Sequence, residues 1–145
     1  SRRHGSCHQE GCQRVQMIAV DTNVIVRLMT ADDKSQYQKS VNLFRRHDIF
    51  ISITVLQETE WVLRYSYQFN RRDINNALLG LAGLENVYID NPTVLMQALD
   101  WHAQGMDFSD ALHLSHSARD NPFYTFDQKL ISTASKVTPY TLKKP

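Results

Sequence analysis

Short apolar runs alternate with segments of helical periodicity along most of the chain. Strands are predicted at Met17–Val20, Ile49–Ile51, Val87–Ile89 and Phe123–Thr125, with a last extended piece at Val137–Tyr140. Each run is as short as a typical buried strand. Strands that alternate with helices are typical of βαβ units and a mainly parallel sheet, so an α/β fold is expected.

Helical periodicity fills the intervals between these strands. The helix after the second strand is the clearest, because Val55, Thr59, Val62, Leu63 and Ser66 share one face and are expected to be buried. The predicted helices are Val24–Met29, Lys34–Arg46, Thr54–Tyr67, one from Asn70 to about Gly83, one from Asn91-Pro92 to Gly105, Asp107–Arg119 and Gln128–Ala134.

The first sixteen residues differ from the rest of the chain. They hold both cysteines, Cys7 and Cys12, beside His4 and His8, a combination that is able to bind zinc. They show no apolar periodicity, and a strand pattern begins abruptly at Met17. We therefore interpret residues 1–16 as a flexible extension, vector-derived or translated from upstream, and residues 17–145 as one domain.

Composition is that of an ordinary soluble protein. The chain has 145 residues, of which 42% are hydrophobic and 21% charged, and its net charge is +1. This excludes a disordered chain, and the near-neutral charge does not by itself indicate a nucleic-acid binder. No segment approaches the roughly 18 apolar residues that a membrane span requires. The polar N-terminus gives no sign of secretion, so a cytoplasmic location is expected.

Four acidic residues follow the predicted strands at separate points of the chain. Asp21 and Asp127 come directly after strands, and Glu58 and Asp110 lie in the first turns of helices. The carboxyl ends of parallel strands face a common crevice, so we expect these acids to converge. Their mutual repulsion would be relieved by Mg²⁺ or Mn²⁺, which favour oxygen ligands. Such a site without a glycine-rich phosphate loop favours phosphodiester hydrolysis.

The segments around these acids form a recognisable set. Asp21-Thr22-Asn23-Val24, Glu58 within LQETEWVLR, Asp107-Phe108-Ser109-Asp110-Ala111-Leu112 and Thr125-Phe126-Asp127 resemble the motifs of PIN-domain ribonucleases. Within that family they most resemble the VapC-type toxins of toxin–antitoxin pairs. The resemblance covers Met17–Ala134, and the order and spacing of the motifs carry it more than any single motif.

The resemblance implies a three-layer α/β/α domain with a central, mainly parallel sheet. It implies that Asp21, Glu58, Asp110 and Asp127 bind Mg²⁺ or Mn²⁺ and are catalytic. Asn23 and Thr125 fall where the family places polar residues that orient the acids. It further implies an endoribonuclease with RNA as substrate, an antitoxin partner that occupies the active-site groove, and a homodimer.

Several of these residues have simpler structural interpretations. Asp21 and Asp107 are suited to cap helices, and Asp110 is favoured at a helix start by the helix dipole. Asp127 fits a turn. Asp107 remains a supporting candidate, able to reach a metal ion through water. Glu60 is interpreted as an acid flanking the buried face of its helix or as a partner of the residue four positions later.

Other side chains have less specific signals. His113 and His116 are not expected to be ligands, and Trp61, Tyr65 and Tyr67 are either base-stacking residues or, more simply, core or interface. The candidates for phosphate contact are Arg45-Arg46, Arg64, Arg71-Arg72 and Lys129, of which Arg64 and Lys129 are nearest the motifs.

Three alternative functions fit the same sequence. One is a housekeeping PIN nuclease in RNA processing that has no antitoxin. Another is a phosphatase or a receiver-like phosphoacceptor, although a haloacid-type phosphatase requires Asp-x-Asp where this chain has Asp21-Thr22-Asn23. The third is a non-catalytic PIN-like interaction domain.

Overall fold

Three short apolar strands form the central sheet, in the order β1 (Met17–Ala19), β2 (Asp48–Ile51) and β3 (Val87–Ile89). All neighbours are parallel, with Ile18 opposite Ile49 and Phe50 opposite Tyr88. The computed structural model describes residues 16–145, so His4, Cys7, His8 and Cys12 lie outside the described residues.

A second parallel pair joins β4 (Phe123–Tyr124) to β5 (Leu142–Lys143). The prediction of an extended piece at Val137–Tyr140 was wrong. Strand β5 lies further along the chain. Val137 is the last residue of a helix, and Thr138 caps that helix by donating its N–H to the carbonyl oxygen of Ala134. Pro139 cannot continue the helix, so the chain leaves it here and then forms β5, which pairs with β4.

Each helix in the described residues begins after an Asp, Ser or Asn whose side chain accepts a backbone N–H. Such caps satisfy donors that have no partner inside the helix. The helices are α1 (Thr22–Thr30), α2 (Lys34–Arg46), α3 (Ile53–Tyr65), α4 (Arg71–Ala82), α5 (Pro92–Ala103), α6 (Phe108–His116) and α7 (Gln128–Val137).

The core lies where the sheet meets these helices. Ile49 and Ile51 of β2 are fully buried and pack with Leu56 and Leu63 of α3. The prediction of a three-layer α/β/α fold is therefore confirmed. None of the helices in residues 16–145 has the length and apolar character needed to span a bilayer.

The buried face of α3 differs from the predicted one. Thr59 and Leu63 are buried as expected, but Ser66 is exposed, and Val55 and Val62 are only half-buried. The face is completed by Ile53, Leu56 and Glu60. The apolar pattern did not indicate that an acidic side chain lies on the buried face. Glu60 does so because an arginine of the same helix pairs with it.

Candidate active site

Thr22 connects two of the predicted acids. Asp21 caps α1, and its Oδ1 accepts the N–H of Thr22 at 2.7 Å. The buried Thr22 hydroxyl donates to Glu58 Oε1 at 2.6 Å. Asp21, two positions after the end of β1, and Glu58, on α3, are thereby held on either side of one threonine. This contact spans 36 positions, and no sequence signal indicates it beyond the place of Thr22 beside Asp21.

Three other acids line one cavity of about 440 Å³. Asp107 caps α6 by accepting the N–H of Asp110, with Oδ2 at 3.1 Å. Asp127 caps α7 by accepting the N–H of Leu130 at 3.0 Å. The capping interpretations are thus confirmed for Asp21 and Asp107, and Asp127, which was interpreted as a turn residue, is also a helix cap. A cap occupies one carboxylate oxygen of each, and the side chains of Asp107, Asp110 and Asp127 still line the cavity.

The surroundings in the cavity shift the pKa of Asp110. Its pKa is raised because burial penalises the carboxylate, and because the charges of Asp107 and Asp127 oppose a third negative charge. His113, which is exposed, acts in the opposite direction and lowers the pKa of Asp110. Asp110 and Asp127, which are 17 positions apart, therefore interact across the cavity.

The two groups of acids are joined by a contact between their neighbours. Gln57 Nε2 donates to Ser109 Oγ at 3.1 Å, and these residues directly precede Glu58 and Asp110 in sequence. The contact holds α3 against the first turn of α6. The predicted acids are therefore found as two adjoining groups, Asp21 with Glu58 and Asp110 with Asp127.

Carboxylate oxygen is the donor type that Mg²⁺ and Mn²⁺ favour. A cation would offset both the burial of the Asp110 carboxylate and the charges of Asp107 and Asp127 beside it, which together raise the pKa of Asp110. Within residues 16–145, no three His, Cys, Asp or Glu side chains stand close enough to form a complete ligand set. Mg²⁺ commonly binds through one or two carboxylates and keeps several waters. The donor set of the two groups fits such an ion.

Three cations line the same cavity, namely Arg64, Arg71 and Lys129. Arg71 Nη1 is already engaged, since it donates to the carbonyl oxygens of His102 and Met106 at 2.9 and 2.7 Å. Arg64 pairs with Glu60, as predicted from their i,i+4 spacing. Lys129 forms no ion pair with any carboxylate of the described segment. It is the cation most available to a phosphate.

The other predicted phosphate contacts lie elsewhere. Arg45 and Arg46 line a separate cavity of about 290 Å³ near the end of α2. Arg72 is exposed on α4 and is not among the residues lining the acidic cavity.

The two supporting residues predicted beside the acids have different surroundings. Thr125 Oγ1 accepts the N–H of Asp127 at 3.0 Å and so fixes the backbone at that acid. Asn23 is exposed and lines another cavity, of about 360 Å³, with residues of α1 and α2. Thr125 is thus placed to orient an acid.

Aromatic side chains are exposed beside the acids. Trp61 and Tyr65 of α3 are 54% and 56% exposed, and their ring centroids are 5.0 Å apart. Trp61 follows Glu58 by three residues, and Tyr65 follows Trp61 by four, so the three share one face of α3. Phe126, directly before Asp127, is 80% exposed. Trp61 and Tyr65 are therefore not core residues.

The profile of the PIN domain matches residues 18–136 of the chain. Among solved structures, the crystal structure of VapBC2 from Rickettsia felis bound to a DNA fragment from their promoter is similar at 16% identity. That similarity covers 90% of this chain and 99% of the other, with a TM-score of 0.37. No curated protein sequence matches the chain.

Proposed function

Because the chain belongs to the PIN-domain family, whose members are typically nucleases, we propose that it is a metal-dependent endoribonuclease. The observation that carries the proposal is the raised pKa of the half-buried Asp110, caused by burial first and by Asp107 and Asp127 second, in a cavity also lined by Lys129. An acidic centre beside a lysine that pairs with no carboxylate of residues 16–145 is suited to bind both a divalent ion and a phosphate.

Asp21, Glu58, Asp110 and Asp127 would hold Mg²⁺ or Mn²⁺. When bound, the ion supplies Lewis-acid chemistry that activates water and offsets charge on a phosphodiester. Thr22 orients Glu58 through its hydroxyl, and Thr125 holds the backbone at Asp127. These contacts reduce the freedom of the acids before any ligand arrives.

The substrate is proposed to be single-stranded or looped RNA. Lys129 is placed to attract a backbone phosphate into the cavity. The exposed rings of Trp61 and Tyr65 offer flat surfaces to unpaired bases on the face of α3 that carries Glu58. Bases in a duplex are stacked on each other, so this surface favours RNA whose bases are free.

We propose further that the chain is the toxin of a toxin–antitoxin pair and acts as a homodimer. The support is the order and spacing of the acidic motifs from Asp21 to Asp127, which resemble those of VapC-type toxins. Expression of the chain alone should arrest growth, and co-expression of an antitoxin-like reading frame that adjoins its gene should relieve the arrest. Growth that is unaffected by the chain would contradict the toxin assignment.

Cleavage of total cellular RNA by the purified protein tests the nuclease function. We expect cleavage with Mg²⁺ or Mn²⁺ and none with EDTA, with the product ends mapped to unpaired regions. Asp21→Asn should abolish cleavage. The matched control is Asp33→Asn, since Asp33 also caps a helix, by accepting the N–H of Gln36, but belongs to neither group of predicted acids. Absence of cleavage by folded, antitoxin-free protein under all these conditions would overturn the proposal.

A further inference from the structure

Glu60 is a buried acid beside the candidate site that the proposed chemistry does not use. Glu60 is 1% exposed, and it lines a small cavity of about 210 Å³ together with Arg64, Arg71 and Asp107. A buried carboxylate is costly unless a cation pairs with it. Arg64 is that cation, because Nε donates to Oε2 at 2.6 Å and Nη2 to Oε1 at 3.2 Å.

Arg64 also faces the acids of the candidate site. It lines the 440 Å³ cavity together with Asp107, Asp110 and Asp127, and its Nη2 lies 3.7 Å from Asp107 Oδ1. A charge-assisted hydrogen bond is about 2.7–2.9 Å long, so a movement of about 1 Å would bring the guanidinium onto Asp107. The same cation therefore has two possible sets of partners.

The geometry favours Glu60 as the partner in the observed state. The contact with Glu60 uses two nitrogens in parallel, whereas Asp107 is reached by one nitrogen beyond hydrogen-bond distance. The hydrogen bond to Glu60 is also the main reason that the pKa of Arg64 is raised. The ion pair is neutral as a unit, so it leaves the negative charge of the acidic cavity largely uncompensated.

We propose that Glu60 is a positioning residue that restrains the Arg64 guanidinium and so keeps Asp107, Asp110 and Asp127 free for a divalent cation. Without the charge of Glu60, Arg64 would turn to these carboxylates and compete with the metal ion. This inference rests on the proposed metal-dependent function. It assigns a role to a buried acid that lies outside the set expected to bind metal.

The test compares Mn²⁺ affinities of purified protein, measured by titration calorimetry or by the electron paramagnetic resonance signal of free Mn²⁺. Glu60→Gln keeps the shape of the side chain and removes its charge. We expect it to bind Mn²⁺ about 10-fold or more weakly, the scale seen when a residue supporting a metal ligand is lost. Circular dichroism of each variant verifies that it is folded.

The decisive variant removes both charges. In Glu60→Gln with Arg64→Gln, the released guanidinium that would turn to the acids is absent, and Mn²⁺ affinity should return to within about threefold of the unchanged protein. A purely structural role for Glu60 predicts the opposite, namely that the double variant is no better than the single one. Glu60→Met with Arg64→Met gives a second version, because apolar replacement of a buried ion pair is often tolerated by a fold.

The outcomes separate this inference from the proposed function. If the unchanged protein binds Mn²⁺ and Glu60→Gln binds it equally well, the role of Glu60 is overturned and the proposed nuclease stands. Failure of both double variants to recover affinity overturns the role of Glu60 in the same way. If the unchanged protein binds no Mn²⁺, both proposals fail together.

Discussion

The Thr22 hydroxyl lies 2.6 Å from Glu58 Oε1 and joins the first turn of α1 to α3. It gives the carboxylate a fixed orientation at the surface, where Glu58 would otherwise rotate freely. Removing the hydroxyl in Thr22→Val should therefore lower kcat for RNA cleavage about 10-fold, with little change in folding. Thr22→Ser keeps the hydroxyl and should retain most activity. Equal kcat values for the valine and serine variants would contradict the orienting role.

Lys129 is predicted to contact the RNA backbone. Lys129→Met should raise KM for RNA and reduce the slope of log affinity against log salt by about 0.7–1, because one fewer counterion is released. Fluorescence anisotropy with a labelled single-stranded RNA at several salt concentrations measures both. Lys136→Met is the matched control, since Lys136 lies on α7 too but outside the acidic cavity. An identical slope of log affinity against log salt for Lys129→Met and Lys136→Met would show that Lys129 does not contact the RNA.

The negative charge of Asp110 is predicted to lower the free energy of unfolding of the metal-free protein. Its pKa is raised by burial and by Asp107 and Asp127, so the ionised form is disfavoured in the folded state. Asp110→Asn should increase the free energy of unfolding at pH 7 while abolishing cleavage. The gain should shrink as the pH falls through the pKa of folded Asp110, because protonation then removes the same repulsion.

The control for Asp110 is Asp73→Asn. Asp73 is likewise in the first turn of a helix, α4, but lies outside the acidic cavity. There the change removes only a favourable interaction with the helix dipole, so stability should fall by a few tenths of a kcal/mol. Urea unfolding of both variants, with EDTA present, makes the comparison. Destabilisation by Asp110→Asn as large as that by Asp73→Asn would count against repulsion at the site.

His102 is predicted to make stability depend on pH. It is 3% exposed, and its pKa is lowered to about 4 by burial first and by the positive charge of Arg71 second. The folded state therefore favours neutral His102, and its contribution is complete above pH 6.5 and is lost as the pH falls towards 4. The loss amounts to about 3 kcal/mol at most.

Urea unfolding at pH 7, 5.5 and 4 measures this dependence. His102→Gln keeps a polar group near Asn75, whose Nδ2 lies 2.9 Å from His102 Nδ1, but cannot be protonated in this range. The variant should be less stable at pH 7 and should lose less stability on acidification. Parallel pH profiles for the two proteins would show that His102 does not titrate as the structure indicates.

The sequence by itself determined most of the elements, although not β5, and it supplied the candidate acids. The strand Val87–Ile89 and the helix start at Asn91-Pro92 were predicted as observed, because their signals are local: an apolar run, a capping side chain and a proline at N1. Asp21 and Asp127 could be placed at strand ends for the same reason. Local backbone preferences act over a few residues, and a sequence displays them directly.

Only the tertiary structure decided which side chains meet. Thr22 reaches Glu58 across 36 positions, and Gln57 reaches Ser109 across 52. Glu60 lies on the buried face of α3, where the apolar pattern had placed Ser66, because its pair with Arg64 offsets the cost of burying its charge. Contacts of this kind depend on how helices pack and on which charges share a low-dielectric space, and neither is encoded in the periodicity of a single segment.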